Sequence, residues 1–329
     1  MVLVGLLDLL EMKGFTFKNR IVMPPMGTGL ASANGAVTDS LIEHYTSRSK
    51  SLGLVIVEHS YVTLQGKVSE KQLGIHDDCL VSGLEELSSN VHATSTPVVI
   101  QINHGGRRCN KEITGLQPVA PSSTEDAKKL KVKEIEALVE AYAMAADRAM
   151  KAGFDGVELH GAHGYLLNQF YSPLSNKRRD RYGGSLENRI RFPLEVVENV
   201  KERVGRRLLL YRMGSDDLDP KGTTIEDSKK FAVKLEEAGV DIIDVSGGLC
   251  GDGQSIAQFQ DLHGYFIPQA QEIKKVVNIP IIGVGGITEP EYANKIIQEE
   301  RVDLVAVGRG LLNDPDWAIK AIKKLKSVP

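Results

Sequence analysis

The chain has 329 residues, 42% hydrophobic and 25% charged, an ordinary globular mixture with room for one large α/β domain or two small ones. Its net charge of −3 offers no basic surface to nucleic acid or an anionic membrane, and no apolar run approaches the ~20 residues of a spanning helix. Cys79, Cys109 and Cys250 stand far apart with no C-x-x-C pair, which excludes a zinc knuckle or cysteine-held iron–sulfur cluster and suits free thiols in a reducing cytoplasm.

The start MVLVGLLDLLEMKG is apolar, but it lacks a basic opening and Asp8 interrupts it, so it does not read as a signal peptide. Residues 1–19 are expected to cap whatever follows. From there short β-branched runs recur to the end. They are 20–26 (RIVMPPM), 53–60 (GLVIVEHS), 97–104 (PVVIQINH) and 153–161 (GFDGVELHG), then 207–214 (RLLLYRMG), 239–247 (GVDIIDVSG), 279–286 (IPIIGVGG) and 301–308 (RVDLVAVG). Most are continuous rather than alternating, the pattern of strands covered on both faces.

Helical spacing fills the gaps. Ile135, Leu138, Val139, Tyr142, Ala145, Ala146 and Ala149 fall three and four apart, and Gly153 follows where a helix end favours positive φ. The junction KAGFD at 151–155 returns as EAGVD at 237–241. Thr223-x-x-Glu226 and Thr288-x-x-Glu291 read as capping boxes, and Asp314-Pro315 as the opening of the last helix. Eight β/α units without a linker predict one α/β domain over 1–329, a closed parallel (β/α)8 TIM barrel. Two connections, 105–131 and 247–265, exceed the usual few residues, and both follow C-terminal strand ends, the active face of a barrel.

The strand ends carry the candidate chemistry. The first delivers Pro24, Pro25, Met26, Gly27 and Thr28, the second Glu58 and His59, the third Gln101 and His104. The fourth delivers His160, His163 and Tyr165, the fifth Arg212. The last two end in glycine-rich turns, Gly283-Val284-Gly285-Gly286 and Gly308-Arg309-Gly310. Neighbouring bare-backbone turns with an arginine suit a phosphate, although such glycines also serve plain tight turns. Arg212 suits the N1/O2 edge of a flavin or, equally, an ion pair with Asp216 or Asp244. The H-x-x-H pair reads as two donors for a developing oxyanion; a metal would want a third ligand, and only Glu158 stands near, so no metal is expected. Arg178, Arg179 and Arg181 read as a brace for the Tyr182-Gly183-Gly184 loop, and His104 as a turn partner without an assigned role.

With these residues in view, the chain resembles the old yellow enzyme family, FMN-dependent ene-reductases of the NADH:flavin oxidoreductase group. The likeness runs from about residue 14 to about 323 through FKNRIVMPPMGT, VIQINHGGR, FDGVELHGAHGYLLNQFYSPLSNKRRDRYGGSLENRIRF and VAVGRGLLNDP. It independently implies the barrel. It also implies that Pro25, Met26, Gly27 and His59 line the FMN ring, that Gln101 and Arg212 hold its pyrimidine edge, and that Gly285, Gly286, Gly308 and Arg309 bind its phosphate. His160 and His163 would then bind the carbonyl oxygen of an unsaturated substrate, with Thr28 beside them, and Tyr165 would supply the proton. Gly27 stands where some relatives carry a cysteine, so FMN is expected to be non-covalent. The sequence ends soon after the last helix, so electrons are expected directly from NADH or NADPH. The short tail lacks the arginine that some relatives lend to a neighbour's site, and homo-oligomerisation stays open.

Overall fold

The computed structural model describes residues 4–249 and 262–327. Eight parallel strands close into a barrel in simple chain order: β1 (Ile21–Met23), β2 (Leu54–Tyr61), β3 (Val98–Asn103), β4 (Gly156–Gly161), β5 (Leu208–Gly214), β6 (Ile242–Ser246), β7 (Ile281–Gly283) and β8 (Leu304–Ala306). The expected (β/α)8 TIM barrel is therefore the observed one. The strands are unequal. β2 to β6 hold five to eight residues each, whereas β7, β8 and β1 hold three.

Helices alternate with them: α1 (Asp39–Ser49), α2 (Val81–His92), α3 (Val132–Lys151), α4 (Arg191–Val204), α5 (Ile225–Glu237), α6 (Ile267–Lys274), α7 (Pro290–Gln298) and α8 (Trp317–Lys326). The periodic apolar residues of α3, from Ile135 to Ala149, are all buried. They join the larger apolar core, which lies between strands and helices. Burying each Val, Leu or Ile there contributes roughly 1.5–3 kcal/mol. Gly153 and Gly239 end their helices with φ of 78° and 93°, as the repeated junction predicts. No helix among the described residues is long and apolar enough to cross a membrane.

A second, smaller core fills the barrel from Val22, Leu54, Ile56, Val99, Leu208, Leu210, Ile242, Ile282, Leu304 and Ala306. Phe17 belongs to it, and Leu10, Met12 and Phe15 pack against it. These come from an antiparallel hairpin, Leu10–Met12 with Phe15–Phe17, so the N-terminal cap is a plug in the barrel floor. Above the apolar layers the interior turns polar. Gln101 pairs in register with Glu158, and Arg212 lies between His160 on one side and Asp244 on the other.

The helix starts differ from expectation. Thr224, not Thr223, caps α5, its side chain accepting from Asp227 N. The Thr223 amide is instead drawn to Asp217 Oδ2 at 2.8 Å. Helix α7 opens with Pro290 after Glu289 and has no side-chain cap, while the Thr288 carbonyl accepts from Trp317 Nε1 at 2.9 Å. Asp314 and Pro315 precede α8, with Asp314 Oδ1 accepting from Asp316 N at 3.1 Å.

The 105–131 connection is folded rather than bare. It holds a short helix, Lys111–Thr114, and a parallel pair, Val119–Ala120 with Lys128–Lys129. Arg178 braces it, donating to the carbonyls of Pro121 and Leu130 at 2.9 and 2.7 Å, a structural role on a different loop from the Tyr182-Gly183-Gly184 turn expected from sequence. Most of the 247–265 connection, Cys250 included, lies outside the described residues.

Candidate active site

Strand β4 ends at Gly161, and the chain then turns sharply. His163 takes φ of 57° and Gly164 φ of 70°, two left-handed residues in succession. For a histidine that conformation is strained, and it is held by His163 N donating to Gly247 O at 3.1 Å. The turn brings three rings together. His160 meets His163 edge-on at 5.1 Å between centroids and Tyr165 at 4.8 Å, and His59 from β2 lies 5.6 Å from Tyr165. His163 Nε2 is 2.8 Å from the Ser246 hydroxyl of β6, which orients its ring.

His160 is buried, and its Nδ1 has no protein partner among the described residues. Burial first, then the neighbouring His163 and Arg212, hold its pKa well below the usual histidine range. His160 is therefore a neutral imidazole at physiological pH, able to donate one hydrogen bond. Burial raises the Tyr165 pKa, with Arg108 opposing, so the phenol keeps its proton. The Arg108 guanidinium sits 6.0 Å from the Tyr165 ring centroid. It is brought there by Gln169, whose amide Nε2 donates to the carbonyls of Gly105 and Gly164 and so staples the third strand's loop to the fourth's.

Below this cluster lies the polar row. Gln101 Nε2 donates to Glu158 Oε1 at 2.8 Å, leaving Gln101 Oε1 without a partner among the described residues. Arg212 Nη1 is 3.4 Å from Asp244 Oδ2, with both side chains buried. Arg212 thus forms one of the expected ion pairs, and among the described residues its Nε has no hydrogen-bond partner. Glu158 is pushed well above the usual carboxylate range by burial and then by the Asp244 charge. Burial raises Asp244 as well, with Arg212 opposing, so Glu158 is the carboxyl pushed further toward its neutral form and Asp244 the one paired with the guanidinium.

Beside the row opens a cavity of about 340 Å³ lined by Pro24, Met26, His163, Arg212, Ser246, Tyr265, Phe266, Gly285, Gly286, Gly308 and Arg309, among others. Its far end is bare backbone. A Cβ on Gly285 would stand 2.8 Å from Tyr265 N, and one on Gly286 2.9 Å from an Arg309 guanidinium nitrogen. Both glycines also have positive φ, so side chains there would close the cradle and strain it.

Most of the residues proposed from sequence converge here. His160, His163, Tyr165 and His59 form one cluster; Gln101 and Arg212 the row; Gly285, Gly286, Gly308 and Arg309 the cradle. Met26 lines the cavity, but Pro24 rather than Pro25 accompanies it. Thr28 does not join them. Its hydroxyl donates to Glu58 Oε2 at 2.5 Å and accepts from Leu30 N at 3.1 Å, so it holds its own loop instead of facing a substrate. His104 is a buried turn partner whose Nδ1 accepts from Gly106 N at 3.0 Å. Ser246, Tyr265 and Phe266 were missed, because nothing around them in sequence marks a site. No third His, Cys, Asp or Glu joins His160 and His163 in a metal-binding group among the described residues.

An elongated cofactor with a phosphate at one end and a polar heteroaromatic ring at the other fits this arrangement. The cradle offers backbone N–H groups and Arg309 to the phosphate; Gln101 Oε1 and Arg212 Nε offer an acceptor and a donor to the ring. Comparison with known proteins agrees. The NADH:flavin oxidoreductase / NADH oxidase family model matches residues 6–327. An NADH oxidase from Thermoanaerobacter brockii is 46% identical over 317 residues, 92% of this chain but 48% of that protein. An NADPH dehydrogenase from Geobacillus sp. (strain WCH70) is 40% identical over 95% of this chain and 92% of its own. Among solved structures, a 2-naphthoyl-CoA reductase in complex with 2-naphthoyl-CoA superposes with a TM-score of 0.92 at 26% identity, covering 97% of this chain and 52% of that one. The old yellow enzyme homologue from Zymomonas mobilis gives 0.86 at 28% identity, covering 99% and 94%. The chain thus spans about half the length of some relatives and nearly all of others. The chain belongs to the NADH:flavin oxidoreductase family, whose cofactor is FMN and whose electron donor is a nicotinamide.

Proposed function

We propose that this protein reduces the C=C bond of α,β-unsaturated carbonyl compounds with NADH or NADPH. The observation that carries the reading is the grouping of neutral His160, His163 and protonated Tyr165 at one end of the barrel, beside a cavity with a phosphate cradle. FMN, when bound, supplies a hydride to the alkene carbon β to the carbonyl. Gly285, Gly286, Gly308 and Arg309 would hold the phosphate; Pro24, Met26, Gly27 and His59 would line the ring; Gln101 and Arg212 would hold its pyrimidine edge. His160 and His163 donate to the substrate's carbonyl oxygen and stabilise the negative charge that arrives there. Tyr165 delivers its proton to the α carbon as a general acid. The structural relative named as a 2-naphthoyl-CoA reductase supports a carbonyl substrate.

The purified protein is expected to be yellow, to bleach anaerobically with NADH or NADPH, and to regain colour when an activated enone is added. Bleaching without enone-driven recovery would move the reading to an oxidative enzyme of the same fold, such as an amine or methyl-group demethylase, or to a binding protein without turnover. Running both nicotinamides in parallel identifies the donor.

The oxyanion role of His160 has its own readout. Removing one donor to a charged oxygen costs about 1.5–3 kcal/mol. In His160→Ala a phenol, which mimics the enolate, should therefore bind roughly 10- to 100-fold more weakly in a spectroscopic titration. Unchanged phenol affinity would remove His160 from the donor pair.

A further inference from the structure

Gly27 and His59 occupy one another's space. A Cβ built on Gly27 would lie 3.2 Å from His59 Nε2. The β2–β3 pairing slips between Val57 and Ser60, and this irregularity includes His59. The imidazole thus stands where a side chain at position 27 would otherwise reach.

Its tautomer follows from a fixed donor two steps away. Val68 N–H donates to Gln72 Oε1 at 2.7 Å, and a backbone amide can only donate. The other end of the Gln72 amide is therefore its NH2, which also donates to His59 O at 3.1 Å. That NH2 lies 2.8 Å from His59 Nδ1 and has no acceptor to offer. Nδ1 must then be the bare nitrogen, and the ring proton sits on Nε2, over Gly27. Burial and the Arg212 charge bring the His59 pKa down to about 4, so the ring stays neutral and this tautomer persists at physiological pH.

We infer that His59 is a donor of fixed tautomer to the redox-active ring of the bound cofactor, replacing the side chain that Gly27 lacks, with Gln72 and the Val68 amide as its positioning groups. The inference rests on the reading of the cavity as an FMN site and on Gly27 lining the ring. A donor at the ring edge favours the form that carries more electron density, so it makes the cofactor easier to reduce.

The test is the two-electron midpoint potential of the FMN holoprotein, measured anaerobically against a reference dye. In His59→Ala the equilibrium constant for reduction should fall about tenfold, a shift of about 30 mV to lower potential. Gln72→Leu leaves the imidazole in place but frees its tautomer, and should shift the potential in the same direction by less. The double variant His59→Ala with Gly27→Ser returns a hydroxyl to the vacated space and should recover part of the shift. Two single variants with the parent's potential would overturn the inference. So would a potential that holds steady while phenol affinity drops, since His59 would then serve the substrate. If the parent chain takes up no FMN, the functional reading falls as well, so the two failures are told apart.

Discussion

Replacing Tyr165 with phenylalanine should leave reduction of the bound flavin by nicotinamide intact and slow turnover of a weakly activated enone by roughly 10²–10⁴-fold. The substitution removes one hydroxyl and little else. The ring keeps its edge contact with His160 at 4.8 Å and its place beside His59. Tyr165 also begins the short helix Leu166–Tyr171 through its backbone, with Gln169 N donating to its carbonyl, so the turn should survive. Burial keeps the phenol protonated, as a proton donor must be. The nicotinamide step needs no proton from this residue, which is why the two half-reactions should separate. Stopped-flow mixing, first with NADPH and then with the enone, measures each alone. An enone step as fast as the parent's would reject Tyr165 as the acid.

Arg212→Leu should be the most damaging single change to stability. The guanidinium stands 3.4 Å from Asp244 in the barrel interior, with Glu158 contributing to the same field. Removing one partner of a buried pair strands the other charge, at a cost of roughly 3–5 kcal/mol. For a chain of this size the melting temperature should drop on the order of 10 °C, and the protein should purify without its flavin. Glu158→Gln is the contrasting variant. Because burial and the Asp244 charge push Glu158 toward its neutral form, a neutral isostere should change stability by less than about 1 kcal/mol, with Gln101 still able to hydrogen-bond to it. If Glu158→Gln proved as costly as Arg212→Leu, Glu158 would be ionised and the charge assignment reversed.

The barrel was legible because its strands are covered on both faces and most therefore appear as largely continuous apolar runs. The site was legible where the chemistry is compact in sequence: His160, His163 and Tyr165 span six residues, and the glycine turns sit at the ends of β7 and β8. What escaped was pairing between strands. Ser246 meets His163 only through barrel register, which no local pattern encodes, and the same register selects Asp244 rather than Asp216 from the two ion-pair partners that the sequence offers Arg212. Thr28 escaped for a related reason. Its place at a strand end resembles that of a substrate contact, but Glu58, thirty residues on, claims its hydroxyl. The caps misread at Thr223 and Thr288 show local preference yielding to tertiary demand: Asp217 and Trp317 compete for the backbone there.

The unequal strands split the rim into two sectors with different evolutionary freedom. The longer staves, β2 to β6, present side chains, so away from Gln101, Glu158, His160, Arg212 and Asp244 point substitutions there can redraw selectivity while the scaffold stands. The three-residue staves supply mainly peptide backbone around Gly285 and Gly286, where even one methyl group meets Tyr265 N or Arg309. A mutagenesis library aimed at new substrates therefore belongs on the first arc, and the second is best left untouched as the anchorage.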